Sequence, residues 1–125
     1  MSVRLMWRTN GAGEVYTYLP PNYSQNDAVC DVKPFSTCNA VYGASVGRGA
    51  FTFAAGKSTA VSMRVRLNDA GASNGEIELF ADGQSVINVG GLVLRDSSAG
   101  KFRGMMMQTF FGGMYPFIPI LPYVV

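Results

Sequence analysis

Two alternating runs joined by a glycine-rich link open the chain: Ser2-Val3-Arg4-Leu5-Met6-Trp7-Arg8, then Thr9-Asn10-Gly11-Ala12-Gly13, then Glu14-Val15-Tyr16-Thr17-Tyr18-Leu19. Period-two alternation on both sides of such a turn specifies a β-hairpin. Pairing Arg8 with Glu14 sets Arg4 opposite Tyr18 and Met6 opposite Tyr16, so Ser2, Arg4, Tyr16 and Tyr18 share one face. Val3, Leu5, Trp7, Val15, Thr17 and Leu19 take the other face and are expected in a core. One arginine and two tyrosines on an otherwise polar sheet face make a place where an anion can meet a proton donor or acceptor.

The same strand logic continues downstream. Val41 to Gly49 reads as a glycine-interrupted strand. Thr59 to Leu67 alternates with Val61, Met63 and Val65 inward and Arg64 and Arg66 outward. Asp82-Gly83 between two alternating runs is a hairpin signal, and Glu76 and Glu78 face the arginine strand as structural cross-strand partners. Leu92 to Arg95 continues the sheet, and Phe102 to Phe111, with Met105, Met106 and Met107 as core filler, is expected to be a last strand. Residues 20–41 are dense in Pro and Asn and read as a long loop. The expected strands lie near 2–8, 14–19, 41–48, 59–67, 76–81, 84–89 and 102–111, with Trp7, Leu5, Val61, Met63, Val65, Ile77 and Leu79 in the core. They give an all-β fold, an incomplete antiparallel β-sandwich of jelly-roll type.

Composition narrows the function classes. A chain of 125 residues forms one domain at most. The net charge of +2, without a basic cluster or stripe, argues against a nucleic-acid partner. The sequence contains no histidine, so proton chemistry falls to Tyr, Lys or carboxylates, and Cys30 and Cys38 without histidine make no zinc site. A loop disulfide between these cysteines is favoured over two free buried thiols, and would stabilise by about 2 to 3 kcal/mol in an oxidising compartment. Asn22-Tyr23-Ser24 is a glycosylation acceptor triplet. Gly56-Lys57-Ser58-Thr59 imitates a phosphate loop, but Phe51 stands where its first glycine belongs. Asn68-Asp69 with Asn74-Gly75 lacks the terminal glutamate of a calcium loop. No metal and no cofactor is called for. The tail from Met114 to Val125 is apolar and interrupted by proline, too short for a membrane span. No signal peptide is visible at the N-terminus.

Ser2-x-Arg4 followed by Tyr16-x-Tyr18 resembles the catalytic hairpin of polysaccharide lyase family 14, the alginate and glucuronate lyases. Val41-Tyr42-Gly43-Ala44-Ser45-Val46-Gly47-Arg48-Gly49, Asp82-Gly83-Gln84-Ser85-Val86-Ile87-Asn88, Gly91 to Asp96 and Met107 to Gly113 look like fungal members of that group and its glucuronan lyase relatives. The likeness covers residues 1–113, with 114–125 as a separate tail.

The resemblance implies β-elimination on an acidic polyuronate. Arg4 would neutralise the uronate carboxylate, Tyr16 or Tyr18 would transfer the proton with its phenolate favoured by adjacent positive charge, and Ser2 would orient the substrate. Tyr42, Arg48 and Gln108 are substrate-binding candidates along the groove. Family members carry a catalytic lysine on a strand upstream of the hairpin, so the chain is expected to be the middle and most of the second half of such a domain, extracellular, weak in binding and poor in turnover. Exposed strand edges would favour homo-oligomers. The rival function is a non-catalytic, lectin-like carbohydrate-binding protein that retains the sugar without cleaving it.

Overall fold

A computed structural model describes residues 1–20 and 24–110. Seven strands form two antiparallel sheets: β1 (Ser2–Trp7), β2 (Ala12–Tyr18), β3 (Thr37–Asn39), β4 (Gly43–Thr52), β5 (Val61–Arg66), β6 (Gly75–Ala81) and β7 (Gln84–Leu92). One sheet has the order β1-β2-β4-β3 and the other β5-β6-β7. Alternation makes each sheet apolar on one face, and the two apolar faces meet in one core. Val15 and Val46 from the first sheet pack there with Ile77, Leu79, Ile87 and Val89 from the second. The molecule is a β-sandwich, as the periodicity requires.

The first hairpin departs from its expected register by two residues. Ser2 pairs with Tyr18, Arg4 with Tyr16, Met6 with Glu14 and Trp7 with Gly13. The turn is tighter than the glycine content suggested, because Asn10 and Gly11 both adopt positive φ and the Arg8 N–H closes it on the Ala12 carbonyl at 2.9 Å. Gly13 is thereby released into β2, where the Phe51 ring covers it so closely that a Cβ would lie 2.2 Å from ring carbon. A slip of two leaves every side chain on its own face, so Ser2, Arg4, Tyr16 and Tyr18 remain together.

Three further expectations need correction. Leu5 and Trp7 are exposed rather than in the core, because β1 is an edge strand, and Trp7 contacts Phe53 edge-on instead. Residues 101–110 form no strand, and Met105, Met106 and Met107 are almost fully exposed. The run does not alternate, since three consecutive methionines stand between Gly104 and Gln108, and it finds no pairing partner among the described residues. Residues 20–41 are also not structureless: a 3-10 helix spans Ser24–Asp31 and β3 follows it. The tail 114–125 and the triplet at Asn22-Tyr23-Ser24 fall wholly or partly outside the described residues.

Two buried asparagines fasten these connections. Asn26 accepts from the Val93 N–H at 2.9 Å and donates to the carbonyls of Val93 and Pro20. Asn68 has no solvent exposure, donates to the carbonyls of Asp69, Ala72 and Arg95, and accepts from the N–H groups of Leu94 and Arg95. Backbone polar groups removed from water require such partners, and an amide supplies both donors and acceptors. Cys30 and Cys38 are disulfide-bonded, their Cα atoms 5.5 Å apart, tying the 3-10 helix to β3. On the outer face of the second sheet, Arg64 pairs with Glu78 at 2.7 Å and with Glu76 at 3.1 Å, as the cross-strand pattern anticipates.

An interruption in β4 shapes the polar face of the first sheet. Val15 of β2 pairs with Val46 and Gly13 with Phe51, so Gly47 to Ala50 form a bulge opposite Glu14. Gly47 and Gly49 adopt φ of +64° and +84° there, and a Cβ on Gly47 would approach Ile87 Cγ1 to 2.7 Å. We expect Gly47→Ala to lower stability by about 2 to 4 kcal/mol, combining backbone strain with overpacking. Gly83→Ala has the same sign of φ but open space around it, and is expected to cost about 1 kcal/mol. Urea unfolding midpoints of the two variants check the difference.

Candidate functional site

The outer face of the first sheet gathers the polar residues of the hairpin. Across the strands, Arg4 faces Tyr16, Tyr16 faces Ser45 and Ser45 faces Thr37. Ser2 and Tyr18 form the neighbouring row on one side, and Met6 with Glu14 the row on the other. Strand alternation is sufficient to place these side chains, since their apolar neighbours Val15 and Val46 are committed to the core.

Arg4 lies with its guanidinium carbon 5.1 Å from the centre of the Tyr18 ring, and makes no ion pair among the described residues. Tyr16 and Tyr18 contact each other edge-on with ring centres 5.7 Å apart. The Tyr16 hydroxyl donates to the Tyr42 carbonyl. Tyr42 enters the site through that backbone oxygen, while its ring is exposed in a turn shaped by Asn39, whose side chain accepts from the N–H groups of Val41 and Tyr42. The Ser2 hydroxyl is buried and without a hydrogen-bond partner among the described residues. Gln108 is exposed in the irregular stretch 101–110 rather than on a strand of the groove.

Beside the tyrosines is a network that residue types alone did not single out. Glu14 is completely buried, yet three side chains satisfy it. Arg8 donates through Nε at 3.0 Å and lies 2.9 Å away through Nη2, both to Oε1. Arg48 Nε at 2.8 Å and the Ser45 hydroxyl at 2.6 Å donate to Oε2. Burial pushes the Glu14 carboxyl up, but the hydrogen bonds from Ser45, Arg48 and Arg8 outweigh it and hold the group below its ordinary value of 4.5. The available signal was positional: Glu14 is spaced two and four residues from Tyr16 and Tyr18, on their face.

This network also explains a departure at Tyr16. Positive charge nearby was expected to favour its phenolate, whereas burial pushes the phenol up, the Tyr18 hydroxyl beside it adds to this, and the opposing effect of Arg8 is smaller. Arg8 is already engaged by Glu14, so its charge is largely compensated before it reaches Tyr16.

A β-sandwich with cations and tyrosines on one open sheet face defines the general class. Residues 1–116 match the family model for polysaccharide lyase 14, and the chain belongs to that family. The crystal structure of the marine PL-14 alginate lyase from Aplysia kurodai is similar, with 37% sequence identity and a TM-score of 0.68. The match covers 90% of this chain and 44% of that enzyme, so the chain spans less than half the length of its relative. No curated protein matches it.

A carboxyl whose folded-state value lies below its unfolded value contributes stability that is full above the unfolded value and is lost as pH falls through the folded one. We expect the unfolding midpoint in urea to decline as pH drops below about 4.5, with Glu14→Gln less stable at pH 7 and the gap between the two proteins closing toward pH 3. Parallel curves at both pH values would contradict this.

Proposed function

We propose that the chain acts on or binds acidic polyuronates, with Arg4 receiving a uronate carboxylate and Tyr18 serving as the proton-transfer group. The observation that supports this reading above others is the Arg4 guanidinium poised over the Tyr18 ring on an open sheet face. Removing the proton at C5 of a uronate adds charge beside a carboxylate that is already negative, and a guanidinium on that carboxylate offsets it. The electron pair left at C5 forms the C4–C5 double bond while the glycosidic C4–O bond breaks, and the departing oxygen takes up a proton. One tyrosine that accepts the first proton and returns it to the oxygen closes the cycle without net change in the protein.

Tyr18 suits the role better than Tyr16. Tyr16 is held protonated above its ordinary value and donates to the Tyr42 carbonyl, which fits it for orienting the site. The unpartnered Ser2 hydroxyl is available to bind substrate after a small movement of its surroundings. Disulfide and family are together compatible with an extracellular protein, and secretion is part of this proposal.

A binding protein without catalysis is the second reading. It is favoured by the compensation of Arg8 by Glu14, which leaves Arg4 as the group that would stabilise a phenolate. Incubating the chain with polyglucuronate and with alginate, and following ultraviolet absorbance of the unsaturated uronate, separates the two. Tyr18→Phe is expected to reduce any such product formation by about a hundredfold or more, the scale of a lost proton-transfer group, with polyuronate binding largely intact. Binding without absorbance in the native chain selects the second reading, and turnover that survives Tyr18→Phe removes Tyr18 from the mechanism.

A further inference from the structure

A carboxylate with no contact with water requires compensation, and one forked arginine supplies it. Glu14 has two, from opposite sides: Arg8 follows β1 and Arg48 comes from β4. Arg48 also donates through Nη2 to Ser45 at 3.0 Å. The trio therefore carries one net positive charge beyond what burial of Glu14 demands. That surplus faces solvent, since the Arg8 and Arg48 side chains are 40% and 33% exposed while Glu14 is at 0%. The Nη1 group of each arginine makes no hydrogen bond among the described residues.

Arg48 reaches this face only because β4 is interrupted. It stands three positions after Ser45, an odd offset that in a regular strand would direct Arg48 to the core face. The bulge at Gly47 to Ala50 reverses it, at the expense of ladder hydrogen bonds and with two glycines in left-handed conformation. The loop closed by Cys30 and Cys38 then holds the result: the Phe35 ring centre is 5.1 Å from the Arg48 guanidinium carbon, and the Phe35 carbonyl accepts from the Arg48 N–H at 2.7 Å. An arginine already immobilised on folding loses little further freedom when it meets an anion.

We propose that Arg8 and Arg48, oriented by Glu14, form a second anion subsite that takes the carboxylate of a uronate neighbouring the one at Arg4. The inference rests on the polyuronate reading and extends it. The Arg8 guanidinium carbon is 5.9 Å from the centre of the Tyr16 ring, that of Arg4 is 5.1 Å from the centre of the Tyr18 ring, and the two ring centres are 5.7 Å apart, so the two cationic positions follow each other along one sheet face, and a linear polymer with a carboxylate on every sugar can engage both. Glu14 is a positioning residue here, acting through the two guanidiniums, and the subsite selects for length: a polymer gains from it and a single uronate does not.

The test titrates the 125-residue chain calorimetrically with glucuronate and tetraglucuronate, and with mannuronate and tetramannuronate, and reads the ratio of tetramer to monomer affinity. Arg48→Gln is expected to reduce that ratio about tenfold, the scale of one lost charge-assisted hydrogen-bonding group. Arg48→Lys, which keeps the charge without the fork, is expected to fall between. Glu14→Gln discriminates most sharply, because it adds one unit of positive charge: attraction by charge alone would strengthen tetramer binding, whereas loss of positioning lowers the ratio. Arg4→Gln is expected to weaken monomer and tetramer alike. A native ratio in Arg48→Gln, or tighter tetramer binding by Glu14→Gln, overturns the subsite while leaving the polyuronate reading in place. A folded native chain that binds neither monomer nor tetramer overturns both. Circular dichroism melting establishes that each variant is folded, and should Arg48→Gln fail to fold, Arg48→Lys and Glu14→Gln decide the outcome.

Discussion

The burial of the Glu14 carboxylate between two guanidiniums is the constraint around which the polar side of this sandwich is arranged. A charged group taken out of water has to be met by partners in fixed positions, and these partners come from two separated parts of the chain, the end of the first hairpin strand and β4. Arg8 requires the hairpin turn to end where it does, Ser45 requires the β2-to-β4 register, and Arg48 requires the bulge. A shift of any of these by one residue would leave Glu14 buried and incompletely paired. The core specifies the sandwich, whereas this ion network specifies the register in which the sandwich closes.

The disulfide belongs to the same arrangement. It closes a short loop, and that loop carries Phe35 against Arg48 and the Ser36 hydroxyl to the Gly47 N–H at 2.8 Å. Bulged backbone gives up ladder partners and needs others, and Ser36 and the Phe35 carbonyl supply them to consecutive N–H groups at Gly47 and Arg48. Asn26, from the helix bearing Cys30, connects this unit to the strand end at Val93. The segment that looked irregular in sequence is therefore a support for the site-bearing strand, built from side-chain hydrogen bonds in place of a sheet ladder.

Much of this was legible beforehand. Period-two alternation located six strands, Asp82-Gly83 marked its hairpin, and the shared face of Ser2, Arg4, Tyr16 and Tyr18 survived a register slip of two because parity was preserved. The rest depended on information that alternation does not hold. A bulge is invisible to a periodic pattern until a partner strand is known, so Arg48 was a candidate without a face. Edge position decided the exposure of Leu5 and Trp7, and edges are a property of strand order. The run around Met105 is apolar enough for a strand, but a strand exists only where a neighbour supplies hydrogen bonds.

The two tyrosines show how the same network distributes chemistry. They lie two positions apart on one strand and share one face, yet each lies near a different arginine: Tyr16 has the Arg8 guanidinium carbon 5.9 Å from its ring centre and Tyr18 has that of Arg4 at 5.1 Å. Arg8 is compensated by Glu14, while Arg4 has no carboxylate partner among the described residues. A phenolate is stabilised by uncompensated charge and opposed by burial, so the ion pair at Glu14 weakens the incentive for Tyr16 to ionise, while Arg4 is the arginine on this face without a carboxylate partner among the described residues.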